Sequence, residues 1–190
     1  MILYDRISRY RLILASRSPR RQQLMKELGL SYDVMLPDDD KEIYPGSLKK
    51  EKIPLFLAEK KADFFKGKLK TDDILITADT IVWLKDRELG KPAGRDEAIA
   101  MVAALSGNTH IVYTGVCLTS SIKQISFFSE TKVYFRKLSM EEITFYVDTC
   151  KPYDKAGSYG VQEWIGYTAI ERIEGSYFNV MGLPIDKLWI

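Results

Sequence analysis

A serine- and arginine-rich turn lies where a short apolar strand gives way to a helix. The predicted strand Leu12–Ala15 runs into Ser16–Arg21, and an amphipathic helix is predicted over Gln22–Leu28. Ser18 is a favourable N-cap, and Pro19 suits the first helical turn because its missing N–H would have had no intrahelical partner. Free backbone N–H groups, the helix dipole and the guanidinium groups of Arg20 and Arg21 all favour an anion at this turn. The turn therefore predicts a phosphate site, and two solvated arginines are the alternative.

Asp79 is a carboxylate inside an otherwise apolar segment. The run Ile74–Leu84 is rich in β-branched residues and predicts a buried strand, with a hairpin around Lys85–Glu88. A buried carboxylate costs several kcal/mol unless it is paired, hydrogen-bonded or bound to a metal. We therefore expect a cation beside Asp79, with a structural aspartate that accepts backbone N–H bonds as the alternative.

Two further segments combine polar side chains with a constrained backbone. Lys91 lies between Gly90 and Pro92, which fix the chain where a loose surface lysine would not need it. The segment Asp154–Gln162 alternates polar groups with small residues, so its backbone can approach a ligand closely while Lys155 and Gln162 reach that ligand. Neither segment is specific by itself.

The elements that must position these residues alternate between strand and helix. Further strands are predicted over Tyr32–Leu36, His110–Thr119, Ile125–Phe135 and Ala169–Ile173. Further helices are predicted over Pro54–Lys66, from a cap at Asp96 to Leu105, from a Ser139/Glu142 capping box to Thr149, and briefly after Gly182–Pro184. The alternation, with a β-rich middle, predicts a mixed α/β fold.

Composition limits the class of protein. With 190 residues and 46% hydrophobic content, the chain can form one large domain or two intimate lobes. A net charge of +2 with dispersed signs gives no reason to expect duplex nucleic acid as a partner. Charged residues interrupt the N-terminus and no apolar run is long enough to span a membrane, so a cytoplasmic protein is the default. Cys117 and Cys150 are too few for a disulfide framework, and His110, the only histidine, is predicted to be structural.

The order of the motifs resembles the Maf family of nucleoside triphosphate pyrophosphatases, from about Leu12 to the end of the chain. The blocks that carry the resemblance are Ala15–Arg21, Leu57–Ala62, Ala78–Thr80, Gly90–Pro92, Leu105–Gly107, Tyr113–Gly115, Asp154–Gln162 and Gly182–Pro184. The resemblance implies a cytoplasmic enzyme that hydrolyses a nucleoside triphosphate to the monophosphate and pyrophosphate with a divalent metal, Mg²⁺ or Mn²⁺. It also implies one domain over residues 1–190, with an elongated α/β fold like that of the inosine triphosphate pyrophosphatases and a cleft between two lobes. A homodimer is a further implication, and neither nucleic acid nor membrane is expected as a partner.

The resemblance and the chemistry together assign roles to the motif residues. Asp79 would be the catalytic residue, as a metal ligand, a general base or both, because one carboxylate can do either. The predicted substrate-binding residues are Ser16, Arg20, Arg21, Lys61, Lys91, Lys155 and Gln162.

The second acidic metal ligand has two candidates. In the family a glutamate follows the second strand, whereas a gap-free count here reaches Lys41, which cannot replace a metal-binding carboxylate. A one-residue insertion lets Tyr44–Pro45 realign and makes Glu42 the equivalent, with Asp40 as the alternative.

Arg20 and the segment Asp154–Gln162 resemble the family branch that acts on dTTP and UTP. A branch associated with 7-methyl-GTP has tryptophan where Arg20 stands and departs from the pattern of the second segment. Two other functions stay open from the sequence: the same reaction on another nucleotide such as 7-methyl-GTP, and a non-enzymatic nucleotide-binding regulator of cell division.

Overall fold

Strands and helices alternate along the chain and give a mixed α/β fold. The computed structural model describes residues 3–37 and 42–190. The strands are β1 Arg11–Leu14, β2 Asp33–Val34, β3 Asp73–Leu84, β4 Arg87–Leu89, β5 Thr109–Thr119, β6 Gln124–Phe135 and β7 Ile170–Glu174. The helices are α1 Leu3–Ile7, α2 Pro19–Glu27, α3 Lys52–Asp63, α4 Arg95–Leu105, α5 Met140–Cys150, α6 Trp164–Ala169, α7 Tyr177–Met181 and α8 Ile185–Leu188, and a 3₁₀ turn covers Ala156–Ser158.

One sheet carries the seven strands in the order β2-β1-β3-β5-β6-β7, with β4 paired to β3. Strand β1 runs parallel to both β2 and β3, whereas β4 returns antiparallel to β3 as the predicted hairpin. Strand β7 pairs antiparallel with β6. The sheet combines parallel and antiparallel strand pairs, and helices connect many of its strands along the chain. This arrangement confirms the predicted α/β class.

The chain divides into two compact units. The first contains the described residues up to Asp79, with Thr114–Ser129 and Gly182–Ile190, and the second contains Thr80–Tyr113 and Glu130–Met181. Strand β3 crosses the boundary at Asp79, so the predicted catalytic residue is the last residue of its strand in the first unit. The prediction of a single domain with two lobes stays a prediction.

The core of the first unit forms where helix α3 packs on the sheet. Its buried residues come from β1, α3, β3 and β5 and comprise Ile13, Ala15, Ala58, Ala62, Phe65, Leu75 and Cys117. Small residues on α3 let the helix backbone approach the sheet, and Gly115 on β5 meets it most closely. A Cβ atom on Gly115 would overlap the backbone of Pro54 and Leu55. Any other residue there would push α3 away from the sheet.

The core of the second unit forms between helices α4 and α5. Val102 and Leu105 of α4 and Ile143 and Val147 of α5 are fully or almost fully buried. Helix α5 begins with the predicted capping box, in which Ser139 and Glu142 satisfy each other's backbone N–H groups.

Some elements differ from their prediction. Helix α4 is capped by Gly94 rather than Asp96, which lies in the first turn, where its negative charge interacts favourably with the helix dipole. The predicted strand Tyr32–Leu36 shortens to β2 because only two of its residues pair with β1. Helices α1, α6 and α7 are absent from the prediction. Throughout residues 3–37 and 42–190, every helix is too short or too polar to cross a membrane.

Candidate functional site

The turn before α2 has the structure expected of a helix N-terminus that can hold an anion. Ser18 is the N-cap and its hydroxyl accepts from the backbone N–H of Arg21 at 3.5 Å. The buried Ser16 hydroxyl accepts from the backbone N–H of Ser18 at 3.2 Å. Gly29, at a φ of +70°, follows the last residues of the helix. The two serine hydroxyls thus fix the turn. Arg20 is the second residue of α2, and its side chain is half-buried.

Arg21 uses its guanidinium on the protein itself. Nε donates to the carbonyl of Gly182 at 2.7 Å, and Nη1 donates to the carbonyl of Ala78 at 2.8 Å. Nη1 also lies 3.5 Å from the Ser16 hydroxyl. Burial lowers the pKa of Arg21, and the negative charge of Asp79 opposes that shift. Arg21 therefore ties the start of α2 to the residue that precedes Asp79.

Asp79 has the cation that its burial requires. Its side chain is almost fully buried, and Oδ1 lies 2.5 Å from Nζ of Lys61 on α3. The same Nζ lies 3.9 Å from Oε1 of Glu42. Burial raises the pKa of Asp79, whereas the charges of Lys61 and Arg21 oppose the rise. The result is an ammonium group between two carboxylates, one buried and one exposed.

Thr77 explains why Lys61 and Asp79 meet. Its buried hydroxyl donates to the carbonyl of Ala58 at 2.7 Å, which attaches α3 to β3. Asp79 lies two residues after Thr77 on the same face of the strand, and Lys61 lies about one helical turn after Ala58. The threonine therefore helps to hold α3 where Lys61 can reach Asp79.

The remaining predicted residues belong to the second unit. Lys91 is exposed in the loop after β4, and the carbonyl of its neighbour Gly90 accepts from the backbone N–H of Gly157 at 3.0 Å. This bond attaches the Lys91 loop to the segment that contains Lys155 and Gln162. Gly157 has a φ of +67° and a Cβ there would press on the methyl groups of Val82.

Lys155 and Gln162 differ in their surroundings. Lys155 is buried, and its Nζ lies 2.7 Å from Asp154 Oδ1 and 2.9 Å from Glu163 Oε1. Gln162 Oε1 is a buried acceptor that has no hydrogen-bond donor within the part of the chain that the structure describes. A buried acceptor without a donor costs about 1–3 kcal/mol, so Gln162 favours a ligand that brings an N–H.

His110 has the structural role that its position predicts. It is buried, with Nε2 2.7 Å from the hydroxyl of Tyr159 and edge-on contacts to the rings of Tyr159 and Phe135. Burial lowers the pKa of His110 to about 3, so the imidazole is neutral at physiological pH.

Two residues of the second unit escape the sequence prediction. Glu163 bonds Lys155, and Tyr146 on α5 bonds Glu163 through its hydroxyl at 2.5 Å. In retrospect, the acidic residue directly after Gln162 could have indicated a partner for Lys155. Nothing in the spacing of α5 distinguishes Tyr146 from an ordinary core residue.

The structure thus places the predicted residues in two sets. Ser16, Arg20, Arg21, Glu42, Lys61 and Asp79 belong to the first unit, and Lys91, Lys155 and Gln162 belong to the second. Asp40, the alternative to Glu42, lies outside the described residues. Within those residues, no three His, Cys, Asp or Glu side chains are grouped as a metal site.

Comparison with known proteins identifies the relatives of this chain. The family described as Maf-like protein matches residues 11–189, which include every predicted site residue. The chain belongs to the Maf family. Of its Maf relatives, a dTTP/UTP pyrophosphatase from Bacteroides fragilis is 54% identical over 96% of this chain and 95% of the relative. Proteins of the same name from Parabacteroides distasonis and Flavobacterium johnsoniae are 49% and 47% identical, over 98% and 99% of this chain and 97% and 96% of theirs.

Two solved structures align with this chain at low sequence identity. A HAM1 protein from Coxiella burnetii aligns with a TM-score of 0.43 at 15% identity, over 66% of this chain and 73% of that one. A nucleoside-triphosphatase, named dITP/XTP pyrophosphatase, from Mycobacterium abscessus aligns with a TM-score of 0.39 at 12% identity, over 67% and 75%.

Proposed function

We propose that this protein hydrolyses dTTP and UTP to the nucleoside monophosphate and pyrophosphate. The observation that carries the proposal is the buried Asp79 carboxylate, which accepts a hydrogen bond from Lys61. Arg21, in the first turn of α2, donates to the carbonyl of Ala78, the residue before Asp79. Relatives that are about half identical over nearly their whole length bear the name dTTP/UTP pyrophosphatase, which supports the same substrates here.

The first unit supplies groups that suit a triphosphate. Ser16, Arg20 and Arg21 lie at a helix N-terminus, where backbone N–H groups and the dipole favour phosphate. Arg21 commits Nε and Nη1 to backbone carbonyls, so its role in binding is to place positive charge and to fix the turn. Lys61 adds a point charge beside Asp79, and Lys91 is the corresponding candidate in the second unit.

Asp79 suits the activation of water. Hydrolysis breaks the bridge between the α- and β-phosphates: a water oxygen bonds to phosphorus, the bridging oxygen leaves with one product, and the water proton goes to a base. Burial raises the pKa of Asp79, which makes its carboxylate a stronger base than an exposed aspartate, and the charges of Lys61 and Arg21 oppose that rise. We assign Asp79 the role of base, with a metal ligand role at the same oxygen atoms.

The acidic residues of the first unit fit a hard divalent cation. Asp79 Oδ1 and Glu42 Oε1 lie 2.5 Å and 3.9 Å from the same Nζ of Lys61, so both carboxylates face one positively charged position, which the ammonium group itself occupies in this structure. Mg²⁺ binds through one or two carboxylates together with substrate phosphates and water, and Mn²⁺ accepts similar ligands. When bound, such an ion would neutralise charge on the triphosphate and lower the pKa of a bound water. Glu42 and Asp79 are the residues that would hold it.

The reaction can be tested directly with a nucleotide panel. The protein is incubated with dTTP, UTP, CTP, ATP, GTP and 7-methyl-GTP in Mg²⁺, and pyrophosphate and orthophosphate are measured separately. We expect pyrophosphate as the first product and loss of the reaction in excess EDTA, because the metal is proposed to be essential. Orthophosphate as the first product, or equal rates in EDTA, would contradict the proposal. Nucleotide binding without turnover would favour the regulator instead.

The choice of acidic ligand leads to a second prediction. We expect Glu42→Gln to lower kcat by about tenfold, because Asp79 and the phosphates would still hold the ion more weakly. Raising the Mg²⁺ concentration should restore part of the loss. Asp40→Asn is the matched control, two residues earlier, and should retain nearly full activity. The reverse ranking of the two variants would assign the ligand to Asp40.

The proposal also covers the cellular location and the oligomeric state of the enzyme. We propose a cytoplasmic homodimer that acts on free nucleotides, which accords with the dispersed charge of the chain. Several large apolar side chains, among them Phe145 and Tyr167, are exposed and could be covered in a dimer.

A further inference from the structure

The hydroxyl of Tyr146 lies at the centre of a polar network in the second unit. Tyr146 is fully buried on α5, and its hydroxyl donates to Oε2 of Glu163 at 2.5 Å. The same hydroxyl accepts from the backbone N–H of Gly160 at 3.1 Å. Burial and the neighbouring Glu163 carboxylate raise the pKa of the Tyr146 phenol, so it stays protonated and keeps its role as a donor. One hydroxyl therefore joins α5 to Gly160, inside the segment Asp154–Gln162, and to Glu163, the residue that follows it.

Glu163 continues the network to Lys155. Its Oε1 lies 2.9 Å from Nζ of Lys155, while its Oε2 is used by Tyr146. Lys155 is buried, so losing this carboxylate would remove the less exposed of its two acidic partners among the described residues and leave Asp154. The two oxygen atoms of Glu163 thus connect the tyrosine to one of the predicted substrate-binding residues.

The backbone around Gln162 is fixed from several sides. The N–H of Glu163 donates to the carbonyl of Gly160 at 3.0 Å, and the hydroxyl of Tyr167 donates to the carbonyl of Gln162 at 2.9 Å. A Cβ on Gly160 would lie 2.7 Å from Cδ of Glu163, so the carboxylate packs directly on the glycine. Gln162 lies between the two residues that Tyr146 bonds. The backbone that carries the Gln162 side chain is therefore supported in part by that hydroxyl.

We propose that Tyr146 and Glu163 are positioning residues that hold Lys155 and Gln162 in place and thereby set the selectivity between uracil-type bases and cytosine. The inference rests on the proposed function, in which Gln162 recognises the base. A hydrogen-bonding group discriminates only when its position is fixed to within about 0.5 Å, because a mobile amide can move or turn to suit a wrong partner. Tyr146 and Glu163 supply that restraint through their bonds to Lys155 and to the backbone on either side of Gln162.

The test is Tyr146→Phe, which removes the hydroxyl and keeps the ring stacked near Trp164. We expect the ratio of kcat/KM for dTTP to kcat/KM for CTP to fall about tenfold, mainly through a higher KM for dTTP, while kcat for dTTP changes little. Glu163→Gln should shift the ratio in the same direction and provides a second variant if the first folds poorly. Tyr134→Phe is the matched control, since it removes a hydroxyl that bonds Glu174 on the same unit. It should leave the ratio unchanged.

A double-mutant cycle with Gln162→Ala separates positioning from general stability. If Tyr146 acts through Gln162, adding Tyr146→Phe to Gln162→Ala should not lower the dTTP/CTP ratio further. An equal loss for both nucleotides in Tyr146→Phe, or an undiminished effect of Tyr146→Phe in the Gln162→Ala background, would overturn the inference and leave the proposed function standing. An unmutated protein that releases pyrophosphate from neither nucleotide would overturn both.

Discussion

Asp79→Asn is expected to lower kcat for dTTP hydrolysis by at least ~10²-fold, as for loss of a general base or a metal ligand. The amide keeps the shape of the carboxylate but cannot accept the proton of the attacking water. It also removes the charge that faces Lys61 at 2.5 Å. Nucleotide should still bind, because the α2 N-terminus and its arginines are intact. The measurement is kcat from pyrophosphate release, together with nucleotide affinity by calorimetry.

The same strand offers a matched control for this substitution. Asp73 is also buried on β3, six residues earlier and on the same face, where it accepts from the backbone N–H of Lys70 and lies 3.6 Å from Arg11. Asp73→Asn should lower the melting temperature and leave kcat of the folded enzyme close to that of the unmutated protein. Near-normal turnover by a folded Asp79→Asn variant would show that the reaction is centred elsewhere.

Local sequence signals account for the elements that were predicted well. Ser18, Pro19 and Gly29 mark both ends of α2 because capping and left-handed geometry depend on residues within one turn. The capping box of α5 is equally local. Helices α6 and α7 were missed because both are short, and tertiary contacts decide such segments more than propensity does. Gly166 of α6 is an example of such a contact. A Cβ at this position would overlap the carbonyl of Val161, so close packing requires glycine in a helix that propensity alone does not predict.

In the predicted site, too, some features follow from local sequence signals and others depend on tertiary contacts. The need of Asp79 for a cation follows from burial alone, since the strand around it is apolar. That Lys61 is the cation depends on packing of α3 against β3 through Thr77 and Ala58, which no spacing in the sequence reveals. The resemblance to the Maf family supplied that residue. It did not indicate that Arg21 bonds two backbone carbonyls or that Lys155 lies against Glu163, because these are tertiary contacts between distant segments.

Base preference is the second large effect that we expect. The kcat/KM values for dTTP and UTP should exceed that for CTP by roughly 10- to 100-fold, with a similar or larger margin over ATP and GTP. Gln162 Oε1 is a buried acceptor without a donor in the described residues, and thymine and uracil present an N–H beside a carbonyl. Cytosine has an acceptor in place of that N–H, so two acceptors would face each other. Steady-state kinetics on each nucleotide measures the ratio.

Competition assays make the preference independent of enzyme concentration and identify what would contradict it. With two nucleotides present together at equal concentrations, the ratio of initial rates gives the ratio of their kcat/KM values. Uridine triphosphates substituted at position 5 should compete as well as dTTP does, because thymine is itself uracil with a 5-methyl group. In Gln162→Ala the margin over CTP should shrink towards unity, since the acceptor that rejects cytosine is gone. A kcat/KM for GTP or 7-methyl-GTP above that for dTTP and UTP would reject the substrate assignment and leave the reaction type, with Asp79 at its centre, unchanged.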